Sequence, residues 1–226
     1  MTKIAILQPS YIPWIGYFEQ ILNVDIFIFY DDVQYTKNDW RNRNKIKTKD
    51  DSAWLTIPVK CMSNQKINEV IIDNSKIWQE KHLKSIKQYY SKSLYFEEIF
   101  PILKKNIKSK EVFLHDISIN IIKDLLEYLH INTKIYSSSQ LNINGDKNTR
   151  LINICKYFNA DIYYSGQAAR EYLDIEQFNK NDIKVMFQDY IHPEYNQLNG
   201  KFKAYLSIID LLFNYGKNSI EIIRSN

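Results

Sequence analysis

Two short apolar runs near the start of the chain restrict the fold more than any other feature. Residues 3–7 form a continuous, β-branched run, the pattern of a strand buried on both faces. Residues 8–14 carry two prolines and cannot extend that strand, because proline lacks a ladder donor. Residues 16–24 then place Tyr17, Phe18, Ile21 and Leu22 at helical spacing, and residues 26–30 are again a continuous apolar run that ends at Asp31-Asp32. Strand, loop, helix, strand is the opening of a parallel α/β sheet.

The same punctuation returns near the other end. Strands are expected at 134–137, 161–165 and 183–187, with helices at 149–158, 175–181 and 203–215, the last stopped by Gly216. Between the two ends the pattern changes. Residues 44–47 and 53–59 flank Lys49-Asp50-Asp51 as a hairpin, and 67–72 reads as a third strand beside it. Three amphipathic segments, 78–90, 96–107 and 112–129, read as helices. The expected architecture is an α/β fold with a Rossmann-like parallel sheet flanked by helices. It is a single domain over 1–226, built from 1–38 and 131–226, with a β-hairpin and helical insertion at about 39–130.

Composition narrows the chemistry. The chain has 226 residues and only five glycines, at 16, 145, 166, 200 and 216. That spacing excludes G-x-G-x-x-G and G-x-x-x-x-G-K-[ST], the usual glycine-rich cradles for a dinucleotide or a triphosphate. Cys61 and Cys155 match no metal spacing, and His82, His115, His130 and His192 form no H-x-x-x-H pair, so neither a metal nor another cofactor is implied. A reducing, cytoplasmic setting is expected for a chain without a disulfide framework, signal peptide or 18-residue apolar run. The net charge of +4 mildly favours an anionic partner. Positive charge is carried by 25 lysines and only five arginines, so each arginine stands out. Arginine offers a planar fork that grips phosphate or carboxylate through two parallel bonds.

In open parallel sheets ligands bind beyond the carboxyl ends of the strands. That rule selects residues 8–16, 31–43, 165–172 and 188–195. The first loop is stiff and leads into a helix N-terminus suited to a phosphate, with Gly16 permitting close backbone approach. The second pairs adjacent carboxylates, candidates for a general base or a cation ligand, with Arg41 and Arg43; in a strand those two share a face and Asn42 and Asn44 lie opposite. The third has a glycine turn and places Arg170 in the first turn of a helix. The fourth holds His192, a possible proton acceptor. Candidate substrate contacts are therefore Gln8, Tyr11, Trp14, Gly16 and Tyr17, then Gln34, Trp40, Arg41, Asn42 and Arg43, then Ser165, Gly166 and Arg170. Asp32 and His192 are the candidate bases. Asp210, a charge on an apolar helix, is expected to pair inward with an arginine.

These blocks together resemble the WbqC-like proteins: Q-P-S-Y-I-P-W-I-G-Y-F at 8–18, D-D-V-Q-Y at 31–35, W-R-N-R-N at 40–44, S-G at 165–166, H-P-E-Y at 192–195 and L-S-I-I-D-L-L-F-N-Y-G at 206–216. The resemblance implies a place in bacterial surface polysaccharide or O-antigen synthesis, often where an amino sugar is acylated or aminoacylated. A looser similarity is to pantothenate synthetase and related nucleotidylyl-transfer enzymes, with Trp14-Ile15-Gly16-Tyr17 in the place of H-x-G-H and 31–35 in the place of the second motif. Both histidines of that signature are missing, which argues against ATP-driven adenylation while leaving nucleotide binding open. The implied activity is acyl or aminoacyl transfer to the amine of a nucleotide-linked amino sugar. Arg41, Arg43 and Arg170 would hold phosphate, and Trp14, Tyr11 or Trp40 would stack on a base or sugar. The partners are then that sugar nucleotide and an acyl or aminoacyl donor; a homodimer is compatible with the sequence. The alternative is a non-catalytic sugar-nucleotide or glycan-binding protein. Nucleic-acid binding through residues 35–49 is disfavoured, because acidic residues interrupt that basic, aromatic segment.

Overall fold

The computed structural model describes residues 1–225. Strand β1 (Lys3–Leu7) leads into helix α1 (Ile15–Leu22) and strand β2 (Ile26–Phe29). The antiparallel hairpin β3 (Arg43–Lys47) and β4 (Ser52–Thr56) follows, then a short ribbon of β5 (Val59–Lys60) and β6 (Ile71–Ile72). Helices α2 (Trp78–Tyr90), α3 (Phe96–Ile107) and α4 (Leu114–Tyr128) come next. The chain then returns through β7 (Lys134–Ser137), α5 (Lys147–Tyr157), β8 (Ile162–Ser165), α6 (Ile175–Asn179) and β9 (Lys184–Phe187), and closes with α7 (Ile208–Tyr215) and α8 (Ser219–Arg224).

Five strands form one parallel sheet in the order β7-β2-β1-β8-β9. The fold is therefore α/β, with a separate antiparallel hairpin. Both faces of the sheet are covered, which is why its strands read as unbroken apolar runs. Pleating sends alternate residues to opposite faces. Ala5, Phe27, Phe29 and Tyr164 belong to a core shared with α1, α7, α8, the hairpin and helices α2–α4. Ile4, Ile6, Ile26, Ile28 and Tyr163 belong to a second core with α5 and α6.

Two expected elements differ. Residues 67–72 do not form one strand: a single 3-10 turn at Ile67–Glu69 precedes the two-residue β6. The Glu69 carboxylate accepts from the Lys66 backbone N–H at 3.1 Å and draws the chain into that turn. The last long helix begins at Ile208, not at 203. Ser207 caps it by accepting from Ile209 N–H at 3.4 Å, while its own N–H donates to the Lys45 carbonyl at 2.9 Å. Ser207 is thus tied across to β3, and Tyr205 takes a left-handed φ of 58°.

Candidate functional site

Strand order places the topological switch between β1 and β8: the chain leaves β1 for β2 on one side and comes back to β8 on the other. Doubly wound sheets open a crevice at that point, beyond the carboxyl ends. Here it holds a cleft of about 880 Å³. Leu7, Gln8 and Ser10 form one side, Tyr163, Ser165 and Gly166 the other, and Trp14, Tyr17, Trp40 and Tyr205 supply aromatic walls.

The loop after β1 is fixed from several directions. Asn44 donates to the Ile12 carbonyl at 2.9 Å, Tyr11 N–H donates to the Trp40 carbonyl at 3.2 Å, and Ile208 N–H donates to the Pro13 carbonyl at 2.8 Å. Ile12 is fully buried with φ of 38°, a conformation that β-branched residues rarely adopt. Surrounding structure must hold it there, and such residues concentrate at functional sites.

Arg41 is the charged group of this wall. One terminal nitrogen donates to the Ser10 hydroxyl at 2.6 Å and the other lies 3.6 Å from the Asp39 carboxylate. Its Nε is buried without a partner, and so is Oε1 of the neighbouring Gln8. Burial lowers the Arg41 pKa against the opposing influence of Asp39, and the group stays charged near neutrality. At the other end the first turn of α5 contributes Lys147 and Asn148 to the lining. Asp146 caps that helix by accepting from Thr149 N–H at 3.1 Å. Among the described residues Arg41 and Lys147 are the two charged groups lining the cleft, both cationic, and no Asp, Glu or His lines it.

Of the sequence candidates, Gln8, Trp14, Tyr17, Trp40, Arg41, Ser165 and Gly166 meet in the cleft wall. The others lie elsewhere. Tyr11 is core, not a stacking surface: its hydroxyl bonds His82 Nδ1 at 2.9 Å, and His82 Nε2 donates to the Thr56 carbonyl at 3.1 Å. Burial pushes the His82 pKa down to about 4, so the ring is neutral. Gly16 does not offer its backbone to a phosphate, because the Trp14 indole lies over it; a Cβ there would sit 2.5 Å from Trp14 Cη2. Asn42 is buried and donates to the Ile57 carbonyl at 2.8 Å, and exposed Gln34 donates to Asn64 at 3.2 Å. Arg41 and Arg43 do not share a strand face, since β3 begins only at Arg43. Arg43 turns outward, donates to the Asn38 carbonyl and lies 4.3 Å from the Trp54 ring. Exposed Arg170 donates to Gln167 at 2.7 Å and covers Phe187 at 4.2 Å.

The paired carboxylates do not act on one site. Asp31 is buried and accepts from Ser139 N–H at 2.9 Å and the Ser139 hydroxyl at 2.7 Å. Asp32 accepts from the Ser138 hydroxyl at 2.5 Å and forms an ion pair with Arg150. Burial works against the Arg150 charge, but Asp32 and the Tyr30 phenol offset it and raise its pKa. His192 Nδ1 donates to the Pro193 carbonyl at 2.9 Å, which leaves the Nε2 lone pair inward and without a partner. Burial lowers its pKa and keeps the ring neutral. Tyr205, 59% exposed, lies 4.9 Å from the imidazole and itself lines the cleft. Asp210 pairs with two tyrosines, not an arginine: Tyr90 donates at 2.8 Å and Tyr195 at 2.9 Å. Burial raises its pKa.

Sequence reasoning passes over three features. Lys147 and Asn148 follow the end of β7, and the strand-end rule applied to that strand would select them. Tyr205 lies on a segment read as helix. A buried network under α1 joins Glu19, Gln20, Tyr164 and Gln188: Gln188 donates to Glu19 and to the Gly16 carbonyl at 2.8 Å, Tyr164 donates to Glu19 at 3.1 Å, and Gln20 donates to Gln188 at 2.5 Å. It fixes the angle of α1 against the ends of β8 and β9.

No helix among the described residues is long and apolar enough to cross a membrane. Comparison with known proteins adds two matches. The profile of the WbqC-like protein family matches residues 8–222. An uncharacterized protein of Mycobacterium tuberculosis, Rv1507c, is 39% identical over 228 residues, covering 99% of this chain and 98% of that protein. No solved structure gives a significant match.

Proposed function

Starting from a chain that belongs to the WbqC-like protein family, we propose that the cleft binds a nucleotide-linked amino sugar and that the protein acylates or aminoacylates its amine in surface polysaccharide synthesis. The observation that carries this reading is the charge of the cleft. Its ionic residues, Arg41 and Lys147, are both cations, and Arg41 Nε and Gln8 Oε1 are buried without partners. A buried polar group left unpaired costs about 1–3 kcal/mol. A ligand with a phosphate for Arg41 and a donor for Gln8 removes that cost. Trp14, Tyr17 and Trp40 provide flat apolar surface for a base or a sugar ring.

The transfer step is balanced without an added oxidant or metal. The neutral amine attacks the carbonyl carbon of a thioester or ester donor. The new C–N bond forms as the bond to the thiol or alcohol breaks, and the amine proton passes to a base while the leaving group takes one up. Ser165, a residue of the wall, would turn its hydroxyl from Tyr163 to the developing oxyanion. His192, neutral and with a free Nε2, is the base this reading prefers, reached when Tyr205 moves aside; Asp32, already held by Arg150, is the weaker candidate. A positioned base contributes roughly 10²–10⁴-fold.

A specific observation also favours the non-catalytic reading: among the described residues no Asp, Glu or His lines the cleft. Incubating the purified protein with nucleotide-linked amino sugars and a panel of thioester and aminoacyl donors, read by mass spectrometry, separates the two. A mass increase of one acyl group on the sugar supports transfer. Ligand-dependent thermal stabilisation with an unchanged sugar across the panel supports binding alone.

A further inference from the structure

The cleft straddles the end of the parallel sheet, and its two halves differ in chemistry. Pleating sends Ile6 and Leu7 to opposite faces. On the face of Leu7 the cleft meets Trp14 and Tyr17, with Arg41 near enough to Tyr17 for its charge to act on the phenol. On the face of Ile6 it meets Leu151 of α5, Tyr163, Ala169 and Tyr30, which belong to the second core or pack against it, and exposed Ala168 beside them. None of these six residues carries a buried polar atom without a partner, whereas Arg41 and Gln8 both do. The Tyr163 hydroxyl accepts from the Ser165 hydroxyl at 3.4 Å, Asn148 Oδ1 accepts from the Asp174 N–H at 3.2 Å, and behind the wall Arg150 is paired with Asp32. The ionic residue of this α5-side half is exposed Lys147, at the start of α5. Tyr163 and Tyr164 belong to opposite cores, so the end of β8 at Ser165 is where the two halves meet.

A ligand group seated on the α5 side must match an apolar wall whose buried polar atoms are already engaged. A nucleobase or a sugar ring would bury its own donors and acceptors against aliphatic groups, which is unfavourable. An aminoacyl group would bring an α-ammonium into a cleft that no carboxylate lines among the described residues, close to a second cation at Lys147. An aliphatic chain meets neither obstacle. We propose that the α5-side half receives the acyl group of the donor and that this group is an aliphatic chain, not an amino acid. The inference rests on the transfer reading above and chooses between its two donor classes. With the chain on the α5 side, its carbonyl carbon lies at the junction beside Ser165, open to an amine held on the Arg41 side.

The test titrates the full chain with thioesters of N-acetylcysteamine carrying butanoyl, hexanoyl or octanoyl chains, and with the 2-aminohexanoyl analogue, followed by ligand-observed NMR at about pH 6, where an α-amine is charged. Affinity should rise about fourfold for each added methylene, the worth of one buried CH2. The 2-aminohexanoyl probe should bind roughly tenfold or more weakly than its hexanoyl counterpart. Ala168→Phe puts a ring into the α5-side half from an exposed position and should weaken hexanoyl binding by roughly tenfold or more, the loss of about two buried methylenes. Its urea midpoint checks that the fold is kept, and the chain-length series on the parent stands without it. A flat series overturns the proposal, as does an amino-bearing probe that binds as well as the plain chain, or a folded Ala168→Phe that binds like the parent. A nucleotide-linked amino sugar titrated in parallel keeps the two readings distinguishable. Its failure to bind beside an intact chain-length series sinks the sugar assignment alone, and its binding beside a flat series sinks the acyl assignment alone.

Discussion

Gly16→Ala tests the packing of the cleft wall. Alanine in a helix is ordinarily favoured over glycine by up to about 1 kcal/mol, and Gly16 lies in the first turn of α1 with ordinary helical backbone. The neighbouring indole reverses that expectation. A Cβ at 16 would lie 2.5, 2.7 and 2.9 Å from Trp14 Cη2, Cζ2 and Cζ3, whereas carbon contacts relax at about 3.5–4.0 Å. Trp14 must therefore move by roughly 1 Å. It is wedged edge-on against Tyr190 at 4.9 Å and against Tyr205 at 5.7 Å. Overpacking of this kind costs about 1–3 kcal/mol, so the net loss in Gly16→Ala is about 0–2 kcal/mol. In a Trp14→Ala background only the helix preference remains, and the same change should stabilise by up to about 1 kcal/mol. The interaction energy between the two sites is then the overpacking cost, about 1–3 kcal/mol. Urea unfolding of the parent, both single variants and the double variant at 25 °C measures it. Equal stabilisation by Gly16→Ala in both backgrounds would refute the wedge.

Other outcomes follow from the same geometry. Arg41→Met should weaken binding of a nucleotide-linked amino sugar by about 10–150-fold in calorimetry, the worth of one charged hydrogen bond; parent-like affinity counts against Arg41 as the phosphate partner. His82 has a folded pKa lowered to about 4, so the unfolded state binds more protons between about pH 6.5 and 4 and stability falls as pH drops through that window, by up to about 3 kcal/mol. His82→Gln should flatten this slope in urea midpoints measured from pH 4 to 7. Asp210 has the opposite sign: its raised folded pKa makes the folded state hold the proton longer, so stability falls as pH rises above about 3.9. Asp210→Asn should remove that fall, and identical pH profiles for parent and variant would exclude the buried, tyrosine-bonded carboxyl as its source.

The parallel sheet was legible because burial on both faces leaves a strong local trace: β1 and the α2 and α3 helices have the bounds that periodicity predicts. The loops at the ends of β1, β2 and β8 were legible too, since residues from all three line the cleft. What local pattern cannot register is which way a side chain turns when its partner is distant. Tyr11 finds His82 71 residues away, and Asp32 finds Arg150 118 residues away. Arg41 and Arg43 diverge because the strand starts between them, a boundary that a polar W-R-N-R-N run does not mark. The helix expected from 203 starts only at Ile208, because Tyr205 takes a left-handed φ and backbone bonds from Ser207 to Lys45 and from Ile208 to Pro13 hold the chain out of helical form up to that point.

The central claim, that the crevice between β1 and β8 holds a phosphate-bearing amino sugar, is tested most directly by a crystal structure of the protein soaked with a uridine-diphosphate amino sugar. Density is expected in the cleft, with a phosphate oxygen within about 3 Å of the Arg41 guanidinium and the sugar facing Ser165 and Gly166. Ligand density away from this cleft, or in it with the phosphates pointing away from both Arg41 and Lys147, would contradict the assignment.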